Sequence, residues 1–154
     1  MDLLFLSFLV AHSGTLSEPV RCDDNRIVAE RGLCETPALV PGPYMIFFRW
    51  GGANVDRDAQ SILDTVVRMM VEGDGSYKVA LTGYSDRSGP AAVNKRISRQ
   101  RALVVRDLLL ERGVEADRVV VRDGGGEAGL LVPTADGVRE AQNRRVEIHF
   151  IRID

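Results

Sequence analysis

The sequence predicts an α+β fold: a two-layer sandwich in the order β-α-β-α-β-β, with helices on one face of a mixed four-stranded sheet. Three observations predict it. Apolar runs of strand length recur at 44–48, 78–84 and 118–122. Two stretches between them repeat apolar residues at helical spacing. The last stretch, 145–152, alternates apolar and polar residues.

Residues 44–48, Tyr-Met-Ile-Phe-Phe, form an unbroken apolar run suited to a strand buried on both faces, and Gly51-Gly52 reads as a turn. From 56 to 71, Ala59, Ile62, Leu63, Val66 and Met70 recur at helical spacing, with Gly73 as the stop. Residues 78–84 are the second strand. Gly89-Pro90 then fits a cap followed by Pro at the first helical position, opening a short helix that yields to a longer one capped by Ser98. Ala102, Val105, Leu108 and Leu109 supply its buried face and Gly113 its left-handed terminator. In the final strand Val146, Ile148 and Phe150 alternate with Glu147 and His149.

A chain of 154 residues, 45% of them apolar, fits one domain with a short leader. A net charge of −2 argues against nucleic-acid binding, which relies on a basic field. The basic residues Lys95, Arg96, Arg99 and Arg106 lack the interleaved aromatics that single strands stack on, so they read as a solvated helix face.

Residues 3–11 have the length of a signal-peptide core and are too short to span a membrane, which takes about 20 residues. Residues 1–13 are therefore a candidate signal peptide, although Met1-Asp2 lacks the usual positive charge; a buried N-terminal strand or a misplaced start are the alternatives. Residues 14–43 are polar and broken by Pro19, Pro37, Pro41, Gly42 and Pro43, as a tether would be. The domain runs over 44–154. Cys22 and Cys34 have no further ligand at metal spacing, which disfavours zinc; they close one loop in an oxidising compartment or remain two small apolar residues.

No catalytic constellation is legible, since neither His12 nor His149 has a nucleophile placed beside it by any motif. The run Gly124-Gly-Gly126-Glu-Ala-Gly129 formally matches G-x-G-x-x-G, but no helix opens at the glycines. It reads as a flexible turn.

The informative segment joins the second strand to the second helix. Asp86 lies just past the strand, and Arg101 falls in the first turn of a helix capped by Ser98, where the dipole disfavours a cation by about 0.3–1 kcal/mol. A compensating anion is needed. A carboxylate accepts an ammonium and a guanidinium grips a carboxylate with two parallel hydrogen bonds, so the pair suits a zwitterion. The plainer alternatives are that Asp86 caps backbone N–H groups and that Arg101 pairs with an acid of the same chain.

Ser85-Asp86-x-x-Gly89, Asn94-x-x-Ile97-Ser98-x-x-Arg101-Ala102-x-x-Val105 and Asn143-Arg144-Arg145-Val146-Glu147-Ile148 resemble, in order, the signature of the OmpA-like C-terminal domain. That domain is a peptidoglycan-binding module also found in peptidoglycan-associated lipoproteins and flagellar stator subunits. The resemblance covers residues 44–151 and implies non-covalent binding of peptidoglycan, with no enzymatic activity and no cofactor. It implies that Asp86 accepts the ammonium of a stem-peptide diaminopimelate, that Arg101 clamps its carboxylate, and that Asn94 orders the loop and helps to hold the ligand, the plainer alternative being an amide that only satisfies loop backbone. Arg144 and Arg145 would open the last strand beside the site, one of them lending positive potential, or else form a solvated strand edge, and Gly83, Tyr84, Ser85, Gly89 and Ser98 would shape the supporting loop. The implied location is the periplasm, at the cell wall or outer membrane, and envelope proteins are further partners. A protein-interaction domain of the same fold without wall affinity is the alternative, kept open by Arg49 where many relatives carry an acid. The connection 130–142 also departs from the usual segment.

Overall fold

The computed structural model describes residues 42–73 and 75–153, together with two short strands before them, β1 (Val20–Arg21) and β2 (Ile27–Val28). The chain divides into two units, Met1–Leu39 and Val40–Asp154. In the first, β1 and β2 pair antiparallel, Val20 opposite Val28, within a segment that reads in sequence as a tether. The candidate signal peptide and the pair Cys22 and Cys34 lie outside the described residues.

In the second unit β3 (Tyr44–Phe47), α1 (Arg57–Val71), β4 (Tyr77–Gly83), α2 (Ala91–Glu111), β5 (Val119–Val121) and β6 (Arg145–Arg152) follow in the expected order. The strands lie side by side as β3-β6-β4-β5. β6 is antiparallel to both its neighbours and β4 is parallel to β5, so the sheet is mixed. β6 is central because its Val146, Ile148 and Phe150 all face the helices and are buried. Ile46, Val79 and Leu81 join them from the neighbouring strands, and Leu63, Val66, Met70, Ala102, Val105 and Leu109 close the core from the helices.

Each helix begins and ends for a local reason. Asp56 caps α1, its carboxylate accepting from the Ala59 N–H at 3.0 Å. After α2, Gly113 takes φ +95°, and the Val114 N–H returns to the Leu109 carbonyl at 3.1 Å. Arg118 staples the far end of the domain, donating from Nη1 to the Met70 carbonyl at 2.7 Å and from Nη2 to Tyr77 at 2.8 Å.

Four expectations are corrected. The first strand is not buried on both faces: it is a sheet edge, and Phe47 is 44% exposed. The second strand stops at Gly83, after which Tyr84 makes an isolated bridge to Gly126. The second helix is a single 21-residue α-helix from Ala91, with no break and no cap at Ser98. Ser98 instead returns its hydroxyl to the Lys95 carbonyl at 2.9 Å, as serines inside helices do. Finally, the glycine run is no free turn. A Cβ on Gly125 or Gly129 would come within 2.4 and 2.3 Å of the Tyr84 ring, so these two glycines form the slot the ring fills.

The closest approach in the domain lies between Gly83 and Ser98. A Cβ on Gly83 would sit 1.9 Å from the Ser98 carbonyl oxygen, which belongs to helix backbone and cannot swing aside. Gly124 crowds the same serine from the other side, where a Cβ would meet Ser98 Oγ at 2.6 Å. We expect Gly83→Ala to destabilise the domain by about 3 kcal/mol or more, the upper end of overpacking costs. Gly51→Ala, where the added Cβ meets nothing within 4 Å but φ is +71°, costs only the local backbone strain, about 1 kcal/mol. Chemical denaturation of the two variants checks the contrast; equal losses would show that the Gly83 contact is not the constraint.

Candidate functional site

Because α2 presses against β4 at Gly83, its inner face brings Asn94, Ser98 and Arg101 beside the loop that leaves the strand. A cleft of about 210 Å³ opens there, lined by Ser85, Asp86 and Ser88 from that loop, by Asn94, Ile97 and Arg101 from α2, and by Trp50 and Arg144 from across the sheet.

Asp86 is 3% exposed and saturated with donors. Its Oδ1 accepts from the Ser88 hydroxyl at 2.7 Å and the Ser88 N–H at 3.3 Å; its Oδ2 accepts from Arg144 Nη1 at 2.8 Å and the Glu140 N–H at 3.2 Å. Burial alone would raise its pKa, but the hydrogen bonds from Ser88, Arg144 and Glu140 outweigh burial and hold the carboxyl below its ordinary value. It is a carboxylate at neutral pH. Arg144 also donates from Nε to the Phe48 carbonyl at 3.0 Å, joining β3 to the same node.

Arg101 is 1% exposed and pairs with no acid among the described residues. Nε donates to the Gly52 carbonyl at 2.9 Å, Nη1 to Tyr84 at 3.3 Å and Nη2 to Arg49 at 3.3 Å, and the guanidinium lies 5.3 Å from the centre of the Phe48 ring. Those bonds use three of the five N–H groups. Burial, aided by repulsion from Arg144 and only partly offset by Asp86, pushes its pKa down to about 10, so it remains charged at neutral pH. The dipole argument for Arg101 does not survive: Arg101 lies in the middle of a continuous helix that starts at Ala91, so its need for an anion comes from burial and not from a helix terminus. Asp86 and Arg101 do share the cleft, but the acid's ion pair is with Arg144.

Other expected residues sort cleanly. Asn94, 5% exposed, donates from Nδ2 to the Gly89 carbonyl at 2.9 Å and to Glu127 at 2.8 Å, which ties α2 to the loop. Arg144 lines the cleft. Arg145 does not: alternation along β6 sends it to the opposite face of the sheet, where it pairs with Glu147 at 2.6 Å, donates to the Gly129 carbonyl at 3.1 Å and stacks 4.1 Å over the Tyr84 ring. Tyr84 therefore supports the loop from that far face, and Ser85, 2% exposed, lines the cleft with an Oγ that has no partner among the described residues.

Several residues of the site escaped the sequence reading. Ser88 and the backbone of Glu140 complete the shell of Asp86, and neither carries a signal of its own. Trp50 reaches the cleft from the turn after β3 and donates to Ser88 Oγ at 3.1 Å. Asn143, fully buried, accepts from the N–H groups of Leu131 and Val132 at 2.8 and 2.9 Å and donates to the Val132 carbonyl at 2.8 Å, which folds the connection 130–142 against the site. Its place at the head of Asn143-Arg144-Arg145 was the available clue.

Fold and cleft together define the class: a two-layer α+β domain with a buried acid and a buried arginine where β4 hands over to α2. The chain belongs to the OmpA family, whose model matches residues 47–144. Outer membrane protein P5 of Haemophilus influenzae is 34% identical over 111 residues, 67% of this chain and 31% of P5. Outer membrane protein A of Yersinia pseudotuberculosis is 32% identical over 114 residues, 67% of this chain and 32% of the relative. The chain thus spans about a third of the length of these relatives. Among solved structures, the cell wall anchor of the T6SS from Pseudomonas aeruginosa superimposes with a TM-score of 0.57 at 26% identity, covering 73% of this chain and 81% of that one. The peptidoglycan-associated lipoprotein from Burkholderia pseudomallei shares the fold, with a TM-score of 0.61 at 21% identity over 70% of this chain and 89% of its own. Among the described residues no helix is long and apolar enough to cross a membrane.

The depressed pKa of Asp86 fixes a pH dependence. A carboxyl with a lowered native pKa contributes stability that is present above its ordinary value of 3.8 and is lost as pH falls through the native value. Asp86→Asn should cost about 3–5 kcal/mol at pH 7, because it leaves Arg144 unpaired in a buried position. The gap between variant and wild type should then narrow below pH 3.8. Urea denaturation across that range measures it, and a gap independent of pH would rule out the ionised pair.

Proposed function

We propose that the domain binds peptidoglycan non-covalently through the diaminopimelate of the stem peptide and so anchors or locates the protein in the bacterial envelope, at the periplasmic cell wall or outer membrane. The observation that carries this reading is Arg101: a buried cation lining a cleft, held by three backbone carbonyls, with two N–H groups left over and no acid paired with it among the described residues. An uncompensated buried charge is costly, and a ligand carboxylate relieves that cost. The free hydroxyl of Ser85 in the same cleft adds a polar contact that the chain itself does not use. The names of the wall anchor and the peptidoglycan-associated lipoprotein support the same reading.

The ammonium end is held less directly than the carboxylate end. All four acceptor positions of Asp86 are engaged, so an incoming ammonium replaces the Ser88 hydroxyl or shares its oxygen. Arg144 cancels the Asp86 charge, and Arg101 and Arg96 leave the cleft net positive. Carboxylate capture therefore supplies most of the affinity in this reading and the ammonium supplies selectivity. Binding requires neither chemistry nor a cofactor.

Co-sedimentation with insoluble sacculi tests it. Free diaminopimelate should compete at millimolar concentration, and Arg101→Lys, which keeps the charge but loses the planar fork, should weaken retention roughly tenfold or more, in line with about 1.5–3 kcal/mol for a charged hydrogen bond. Acetylating the terminal amine of the competitor should weaken it as well. No competition by diaminopimelate, together with capture of an envelope protein by the same domain, would replace this reading with the protein-interaction one.

A further inference from the structure

The cleft floor is polar, whereas its mouth carries three apolar side chains. Val93 and Ile97, one helical turn apart on α2, line one side, and Trp50 lines the other. Val93 is 43% and Trp50 54% exposed, which is unusual for large apolar side chains converging on one cavity. Arg96 and Gln100 complete the rim.

Trp50 is held in place from three directions. The carbonyls of Arg49 and Gly52, on either side of it in the turn, both accept from Arg101. Its indole N–H donates to Ser88 Oγ at 3.1 Å, and that hydroxyl donates onward to Asp86. The Arg139 guanidinium stacks 3.8 Å over one face of the ring, and Arg139 does not line the cleft. An exposed indole fixed by Arg101 and by the Asp86 shell, with one face backed by a cation and the ring bordering the cavity, is built as a wall.

We propose that Trp50, with Val93 and Ile97, forms an apolar slot that grips the methylene chain of the ligand, so that the site reads the aliphatic spacer and not the charged end alone. The inference rests on the diaminopimelate reading above. Once the charged end occupies the floor at Arg101, the rest of the molecule leaves through the mouth, and only an aliphatic segment suits the apolar side chains there. Trp50 is then a ligand contact that selects for a chain attached to the zwitterion.

Glycine, a zwitterion without a chain, separates the two parts of the site. By calorimetry, wild type should bind diaminopimelate roughly tenfold or more tighter than glycine, the worth of one to two buried methylenes. Trp50→Ala should lose most of that preference, its diaminopimelate affinity falling roughly tenfold further than its glycine affinity, and Trp50→Phe, which keeps a ring in the slot, should retain the preference. Because Trp50 is the sole tryptophan, its fluorescence should shift on adding diaminopimelate and much less on adding glycine. Diaminopimelate binding that survives Trp50→Ala intact would overturn the slot while leaving the carboxylate reading standing. Equal loss for both ligands would show that Trp50 only positions Ser88 and Asp86, which also overturns it. Failure of both ligands to bind wild type would remove the underlying reading and the slot together.

Discussion

The site depends on one buried carboxylate. Asp86 collects four hydrogen bonds, from its own loop through Ser88, from the connection before β6 through the Glu140 N–H, and from the residue just ahead of β6, Arg144. Arg144 carries the tie on to the Phe48 carbonyl at the end of β3. Segments far apart in sequence thus meet on one group, and none of them has regular structure at that point to hold it. A buried ion pair of this kind is weak as a source of net stability and strong as a source of registry, because breaking either half strands the other. That asymmetry makes Asp86 a structural residue whatever else it binds.

Arg101 plays the complementary part. Its three backbone contacts fix the turn after β3 and the end of β4 without cancelling its charge. The cleft therefore contains a satisfied acid and an unsatisfied cation. A site symmetric about a zwitterion would leave both half-open. Here the geometry is lopsided, and the free hydrogen-bonding capacity sits on Arg101 and Ser85.

Most of the fold was legible because its signals are local. The period-two alternation of β6 gave its bounds without error, and the helical period of α1 was equally direct. What failed was whatever depended on partners. The exposure of Phe47 follows from β3 being an edge, which sequence order does not reveal, and the supposed cap at Ser98 failed because that residue lies inside one continuous helix whose backbone packs on Gly83. Asp86 and Arg101 stood out through the motif they share with the OmpA-like domain, and the helix-terminus reason for Arg101 falls away because α2 is continuous from Ala91. Ser88, Trp50 and the Glu140 N–H are ordinary in sequence and acquire meaning only from what folds against them. The sequence left open which of Arg144 and Arg145 borders the site, and alternation in the strand, visible only once its face is known, turns Arg145 away and leaves Arg144 at the cleft.

Arg49 bears on how far the domain departs from its relatives. An arginine in place of an acid would matter if this turn served the site through that side chain. It serves instead through the carbonyls of Arg49 and Gly52, which any residue supplies, while the Arg49 side chain is exposed and makes no part of the cleft. What the turn does require is the path that delivers both carbonyls to one guanidinium, and Gly51 at φ +71° sits in the middle of that path. Substitution at position 49 is thus nearly silent for the floor of the cleft, whereas the residue beside it, Trp50, sets the character of the mouth. In this chain the turn thus serves the floor of the cleft through its backbone and the mouth through one side chain, that of Trp50.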